Sequence, residues 1–181
     1  MTVRNGEPYL HEAVASVLNQ TYQNFRFLIL DNASTDSSRD IVLKFNDPRI
    51  DLVELPEDIG QTAALNRGLQ MTETPLVARM DADDISLPHR LEKQVSYTVK
   101  NPTVALLGTW AQFVDAAGSP TGSFHPPTGH EAILDWFSTD SPFAHSTVIF
   151  RTEPVREIGG YSNDYLRAQD FALWFQVSCR H

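Results

Sequence analysis

The stretch "FRFLILDNASTDSSRDIVLKF" (residues 25–45) decides how the fold is read. It opens on "FRFLIL" (25–30), a short run rich in apolar residues and of strand length. "DNASTDSS" ends that run at once with turn-forming Asp, Asn and Ser. "SSRDIVLKF" (37–45) then carries its apolar residues at helical spacing. Strand, turn and helix in that order are half of a βαβ unit.

The same alternation continues on both sides. Upstream, residues 7–22 read as a helix, with Leu10, Ala13, Val14, Val17 and Leu18 on one face. Downstream, "RIDLVEL" (49–55) alternates like a strand and "QTAALNRGLQM" (61–71) reads as a third helix. "PLVARM" (75–80) reads as a strand, and "LPHRLEKQVSYTVKN" (87–101) as a fourth helix with Ser86 as N-cap and Pro88 in its first turn. "TVALLGTWAQFVD" (103–115) reads as one longer strand and "HSTVIFR" (145–151) as another. Alternation of this kind predicts an α/β fold, a mostly parallel central sheet with helices on both faces. Right-handed crossovers gather the strand C-terminal ends at one edge, where such sheets bind ligands. Three polar loops should meet there: "TVRNGE" (2–7), "DNASTD" (31–36) and "DADD" (81–84).

Composition narrows the ligand. The 181-residue chain is 41% hydrophobic and 20% charged, ordinary for a soluble globular domain, and its net charge is −9. The acidic balance, with no Lys/Arg cluster, argues against a nucleic-acid partner. An anionic ligand would therefore need a metal or a few placed arginines. No apolar stretch is long enough to span a membrane and no leader segment opens the chain. The single Cys179 excludes an internal disulfide and a cysteine metal cluster. The expected location is the cytoplasm, free or at the inner face of the membrane.

Each loop has two readings. Asp81 and Asp83, two residues apart after a strand, can face one region if Ala82 turns away, and a hard cation such as Mg²⁺ or Mn²⁺ relieves their repulsion. The plainer reading makes these aspartates turn formers, with Asp84 or Ser86 capping the next helix. Asp31 and Asn32 can hydrogen-bond a base or ribose. Equally, they can form an Asx-turn before a helix capped by Thr35 or Asp36. Arg67 can reach a phosphate or remain a solvated helix charge. Asp170 sits where a helix should begin. There the helix dipole explains an acid, and a general base is the functional reading. His145 opens a strand, which suits a half-buried structural histidine.

Taken in order, these motifs resemble the inverting glycosyltransferase family 2 with the GT-A fold. "TVRNGEPYLHEAVASVLNQTY" is similar to its first loop and helix, "LILDNASTD" to its D-D/N-x-S-T-D turn, and "GQTAALNRGL" to its G-x-x-x-A-x-N-x-G helix. "MDADDISLPHRLEKQ" resembles its D-x-D segment and "AQDFALWFQV" its E-D-x-x-L-W segment. The resemblance covers nearly the whole chain. It implies transfer of a sugar from a UDP- or dTDP-linked donor to an acceptor hydroxyl with inversion, assisted by Mg²⁺ or Mn²⁺. It implies a nucleotide-binding set of Thr2, Arg4, Asp31, Asn32, Arg67, Asp81 and Ala82. Asp83 and Asp81 would hold the metal, and Asp170 would be the general base. The acceptor would be a glycan, a lipid-linked glycan or a protein. The sequence departs from the family pattern at Asn32, where many members carry Asp, and at Gln169, where Glu is usual.

The expected organisation is a single GT-A domain, residues 1–181, truncated at both ends. Its nucleotide-binding half spans about 1–100 and its acceptor-side half about 101–181. A non-catalytic nucleotide-sugar-binding fragment or module is the alternative. A sugar-phosphate nucleotidyltransferase lacks support because the first loop carries one glycine. A phosphatase with an Asp nucleophile fails on the register of the residues after Asp84.

Overall fold

The computed structural model describes residues 1–165 and 167–181. The chain forms two compact units, the first of residues 1–74 and 80–102 and the second of residues 75–79 and 103–181.

In the first unit, strands β1 (Thr2–Val3), β2 (Phe27–Asp31) and β3 (Ile50–Glu54) form a parallel sheet in that order. Helices α1 (Leu10–Leu18) and α2 (Ser38–Lys44) connect them, α3 (Gln61–Met71) follows β3, and α4 (Arg90–Lys100) closes the unit. The alternation of side chains along β2 sorts the helices. Phe27 and Ile29 share a buried cluster with Val14 and Val17 of α1 and Val42 of α2. On the other face, Gly68 of α3 lies so close to the sheet that a Cβ there would stand 3.1 Å from Leu30 Cδ1. The two crossovers run the same way along the sheet, and right-handedness then puts both of their helices on one face. The expected α/β architecture, with helices on both faces of a parallel sheet, is present.

Register does the positioning. Val3 pairs with Asp31 and Asp31 with Glu54, so all three strands end level. Their three following loops leave from one edge.

α3 spans Gln61–Met71 as the sequence suggested, while α1, α2 and α4 are shorter than expected. α1 begins at Leu10 rather than residue 7, after a turn in which Tyr9 and Leu10 N–H donate to Gly6 O at 3.0 and 2.9 Å. Ser86 is not the N-cap of α4. His89 occupies that position, and a turn with Arg90 N–H donating to Leu87 O, 3.0 Å, leads into the helix. Ser86 is buried instead, its N–H donating to Ser16 Oγ at 3.0 Å and its Oγ 3.2 Å from Gln20 Nε2.

In the second unit, β4 (Leu76–Ala78) and β5 (Leu106–Leu107) flank β8 (Ile149–Arg151), both antiparallel to it. A separate hairpin joins β6 (Ala111–Val114) to β7 (Pro120–Phe124), and α5 (His130–Trp136), α6 (Thr152–Glu157) and α7 (Gln169–Arg180) complete the unit. The single strand expected over 103–115 is therefore two. It breaks at Gly108, where a Cβ would stand 2.7 Å from Phe143 Cδ1, and its halves pair with different partners. "HSTVIFR" also divides, into a 3-10 turn at His145–Thr147 and β8. α7 buries Leu173, Trp174 and Val177, with Trp174 fully enclosed by His145, Phe150 and Tyr161.

Candidate functional site

The loops after β1 and β2 are bound to each other by side chains that accept from backbone. Asn5 Oδ1 accepts from Thr35 N at 2.8 Å, and Ser34 Oγ accepts from Asn5 N at 3.0 Å. Asp36 Oδ2 accepts from Glu7 N at 3.0 Å, and Glu7 Oε2 from Ser37 N at 3.2 Å. Burial alone would raise the Asp36 carboxyl, but hydrogen bonds from Ser38 and the Glu7 amide outweigh it and hold the group below its ordinary value. Asp36 Oδ1 also accepts from Ser38 N at 2.9 Å, two residues on as in an Asx-turn, while Ser37, not Thr35 or Asp36, holds the N-cap position of α2. Asp31, 5% exposed, accepts Ser34 N–H at 2.8 Å, three residues on rather than the two of an Asx-turn.

A fourth loop, 55–60, completes the edge. Asp58 Oδ1 accepts from Asn32 Nδ2 at 2.6 Å and from Gly60 N at 2.9 Å, while Oδ2 pairs with the Arg4 guanidinium. Ile59 N donates to Asn32 Oδ1 at 3.0 Å. Asp58 was missed from sequence, although the level strand ends that place the other loops apply equally to the loop after β3.

The DADD segment is anchored from beneath. Met80 lies in the buried cluster of α1 and β2, and Ala82 packs against it. Gly6 lies beside it: a Cβ there would make ordinary contact with Ala82 Cβ at 3.7 Å but would clash with Val3 Cγ2 at 2.7 Å. With the intervening Ala82 turned inward, Asp81 is half-buried while Asp83 and Asp84 are exposed. Behind them Gln20, 1% exposed, ties the segment to the end of α1. Its Nε2 donates to Leu87 O at 2.8 Å and its Oε1 accepts from Leu91 N at 3.0 Å.

Among the described residues, no group of three or more His, Cys, Asp or Glu side chains gathers to hold a metal by itself. Mg²⁺ and Mn²⁺ commonly take one or two carboxylates and leave other positions to phosphate and water. A cation held by Asp81 and Asp83 would therefore have to take its remaining positions from a diphosphate and water.

The remaining candidates are more dispersed. Thr2 lies within β1, in register with Leu30. Arg67 is exposed on α3. Asp170, in the second unit, is half-buried in the first turn of α7. His145 is structural: its Nε2 accepts from Arg79 Nε at 3.0 Å and lies 3.2 Å from Tyr161 Oη. A shallow cleft of about 300 Å³ also lies between the β2 turn and the end of β3, lined by Asp31, Ser34, Asp36 and Arg39. Its one arginine is engaged with Glu54 at 2.8 Å.

Known proteins are similar to this chain. An uncharacterized glycosyltransferase of Methanocaldococcus jannaschii is 30% identical over 97% of the chain and 61% of its own length. The Escherichia coli UDP-Gal:alpha-D-GlcNAc-diphosphoundecaprenol beta-1,3-galactosyltransferase is 28% identical over 96% of the chain and 64% of its own length. The chain thus spans less than two thirds of these relatives. Among solved structures, Staphylococcus aureus TarS 1–349 in complex with UDP matches with a TM-score of 0.76 at 22% identity, covering 95% of this chain and 52% of that one. The mannosyltransferase PcManGT of Pyrobaculum calidifontis, solved with GDP-Man and Mn²⁺, matches with a TM-score of 0.67 at 20% identity, covering 90% and 46%. These likenesses establish the GT-A fold class. The family profile described as glycosyl transferase family 2 matches residues 1–159, and the chain belongs to that family.

Proposed function

We propose that the chain carries the donor-binding part of a glycosyltransferase that moves a sugar from a UDP- or dTDP-linked donor to an acceptor hydroxyl in polysaccharide assembly. The observation that carries this reading is the level edge of β1, β2 and β3, whose loops interlock around Arg4, Asn32 and Asp58 beside the anchored DADD segment.

Asp31 and Asn32 contact the base and ribose, and Thr2, Arg4, Arg67 and Ala82 complete the nucleotide set. Asp81 and Asp83 hold Mg²⁺ or Mn²⁺, which when bound supplies positive charge to the diphosphate leaving group. Asp170 accepts the acceptor's hydroxyl proton as that oxygen forms its bond to the anomeric carbon. The bond from that carbon to the diphosphate oxygen breaks on the opposite side, and the centre inverts. The acceptor is a lipid-linked glycan, a growing polysaccharide or a protein. The lipid diphosphate in the name of the Escherichia coli relative favours the first, at the inner face of a membrane. No helix among the described residues is long and apolar enough to cross one.

Calorimetry with UDP tests the donor reading. Binding should need Mn²⁺ or Mg²⁺, vanish with EDTA and weaken in Asp83→Ala; equal affinity with and without EDTA rejects the metal pair. For the base, Asp170→Asn should keep UDP affinity and lower transfer about 10²–10⁴-fold. Transfer at the wild-type rate rules Asp170 out.

A further inference from the structure

We infer that Asp58 is a positioning residue that fixes the amide of Asn32, and that this fixed amide sets which nucleobase the chain accepts. The inference rests on the proposal that Asn32 faces the base.

An asparagine amide has a donor end and an acceptor end, and rotating it by half a turn exchanges them. Unconstrained, Asn32 could meet a base that presents N–H or one that presents a ring nitrogen lone pair. In this structure both ends are already assigned. Asp58 Oδ1 accepts from Nδ2 at 2.6 Å, and Ile59 N donates to Oδ1 at 3.0 Å. Rotation would set oxygen against carboxylate oxygen and NH₂ against N–H, losing two hydrogen bonds and creating two repulsions.

Asp58 is itself immobilised. Gly60 N donates to its Oδ1 at 2.9 Å, and Arg4 pairs with its Oδ2. Gly60 takes a φ of +80°, a conformation open to glycine, which turns its N–H back toward Asp58. Asn32 is 5% exposed, so water competes weakly for its two partners.

The lock leaves one Oδ1 lone pair and one Nδ2 hydrogen for a ligand, each at a fixed place. A base set against Oδ1 must present N–H, as uracil and thymine do at N3. Cytosine presents a lone pair at N3, so set in that same position it loses this hydrogen bond and meets Oδ1 with a repulsion. The chemistry therefore selects UDP- or dTDP-linked donors over CDP-linked ones. Aspartate at 32 would put a carboxylate against Asp58 in place of a donor, so Asn32 and Asp58 are matched as a pair.

The test is the ratio of UDP to CDP affinity, measured by calorimetry with Mn²⁺ on the 181-residue chain. Wild type should prefer UDP. Asp58→Ala frees the amide, and the ratio should fall about tenfold, the worth of one neutral hydrogen bond. Asp58→Asn keeps an oxygen for Asn32 and Gly60 to donate to while removing the Arg4 ion pair, so the ratio should be retained. A purely structural role would weaken both nucleotides equally and leave the ratio unmoved in Asp58→Ala, which overturns the inference. Asn32→Ala separates the underlying reading. If it leaves the UDP to CDP ratio at its wild-type value, Asn32 does not face the base. If it changes the ratio while Asp58→Ala does not, Asn32 reads the base without the lock.

Discussion

The two units hold their candidate residues by different physics. In the first, the loops at the ends of β1, β2 and β3 are fixed by short polar contacts in which side-chain oxygens accept backbone N–H groups, as at Asn5, Ser34, Asp36 and Asp58. In the second, Asp170 rides on a helix fixed by ring packing, with Trp174 wholly enclosed by His145, Phe150 and Tyr161. Hydrogen bonds are directional, so the first arrangement sets where individual atoms point. Apolar packing is not directional, so the second sets where a helix lies and leaves Asp170 in its first turn half-buried. A nucleotide read atom by atom suits the first kind of support. A base that need only be held near a hydroxyl suits the second.

The strongest way to break this contrast is at Trp174. Trp174→Ala should cost about 3–5 kcal/mol in chemical denaturation, as for other fully buried large rings. A loss under about 1 kcal/mol would mean that packing does not hold α7. Trp174→Phe sharpens the test. The indole Nε1 is buried with no hydrogen-bond partner among the described residues. Removing it sheds an unsatisfied donor, so the phenylalanine variant should lose less than half as much as the alanine variant.

Gln20 tests the polar side of the contrast. Gln20→Ala leaves the buried Leu91 N–H and Leu87 carbonyl without their amide partner. The expected cost is about 1–3 kcal/mol. Because these bonds hold the segment after DADD rather than any ligand, UDP affinity in Mn²⁺ should also fall in a variant that remains folded by circular dichroism. Unchanged affinity would show that the DADD segment needs no support from α1.

What could be read from sequence follows the same division. β2, its turn and α2 were legible because strand period, turn residues and helix period change sharply within residues 25–45. The loops after β1 and β2 were legible at one edge because right-handed crossovers leave little freedom, but DADD follows β4, which pairs antiparallel with β8 in another sheet, so that reasoning does not place it. Asp58 was not, because nothing in "PEDIG" looks chemical until Asn32 and Arg4 are brought to it in space. In the second unit the split of residues 103–115 was hidden: Gly108 yields to Phe143, a contact distant in sequence. The β6–β7 hairpin was also passed over, although Gly118 at φ +78° and the Asp115 side chain, which accepts from Ala117 N and Ser119 N at 2.9 Å, mark its turn. α5 was missed because it buries no residue and so shows no apolar face, and α6 because its six residues carry too few to show a period.

The smallest effect expected lies at Ala33, between Asp31 and the Ser34 amide it accepts from. Ala33 has a φ of +57°, a left-handed conformation that costs an L side chain about 1–2 kcal/mol. Asn5 and Asn46 hold similar angles, but asparagine adopts them with less cost. Ala33→Gly relieves the strain and gives back about 0.4–1 kcal/mol through the more flexible unfolded chain. A net gain near 0.5 kcal/mol should appear as a modest rise in Tm. The turn after Asp31 stands on the Ser34 N–H bond, which glycine leaves in place, so UDP affinity should not move by more than about twofold. A fall in Tm would mean that the Ala33 methyl is packed rather than strained. The first-unit edge would then owe part of its shape to apolar contact, as the second unit does.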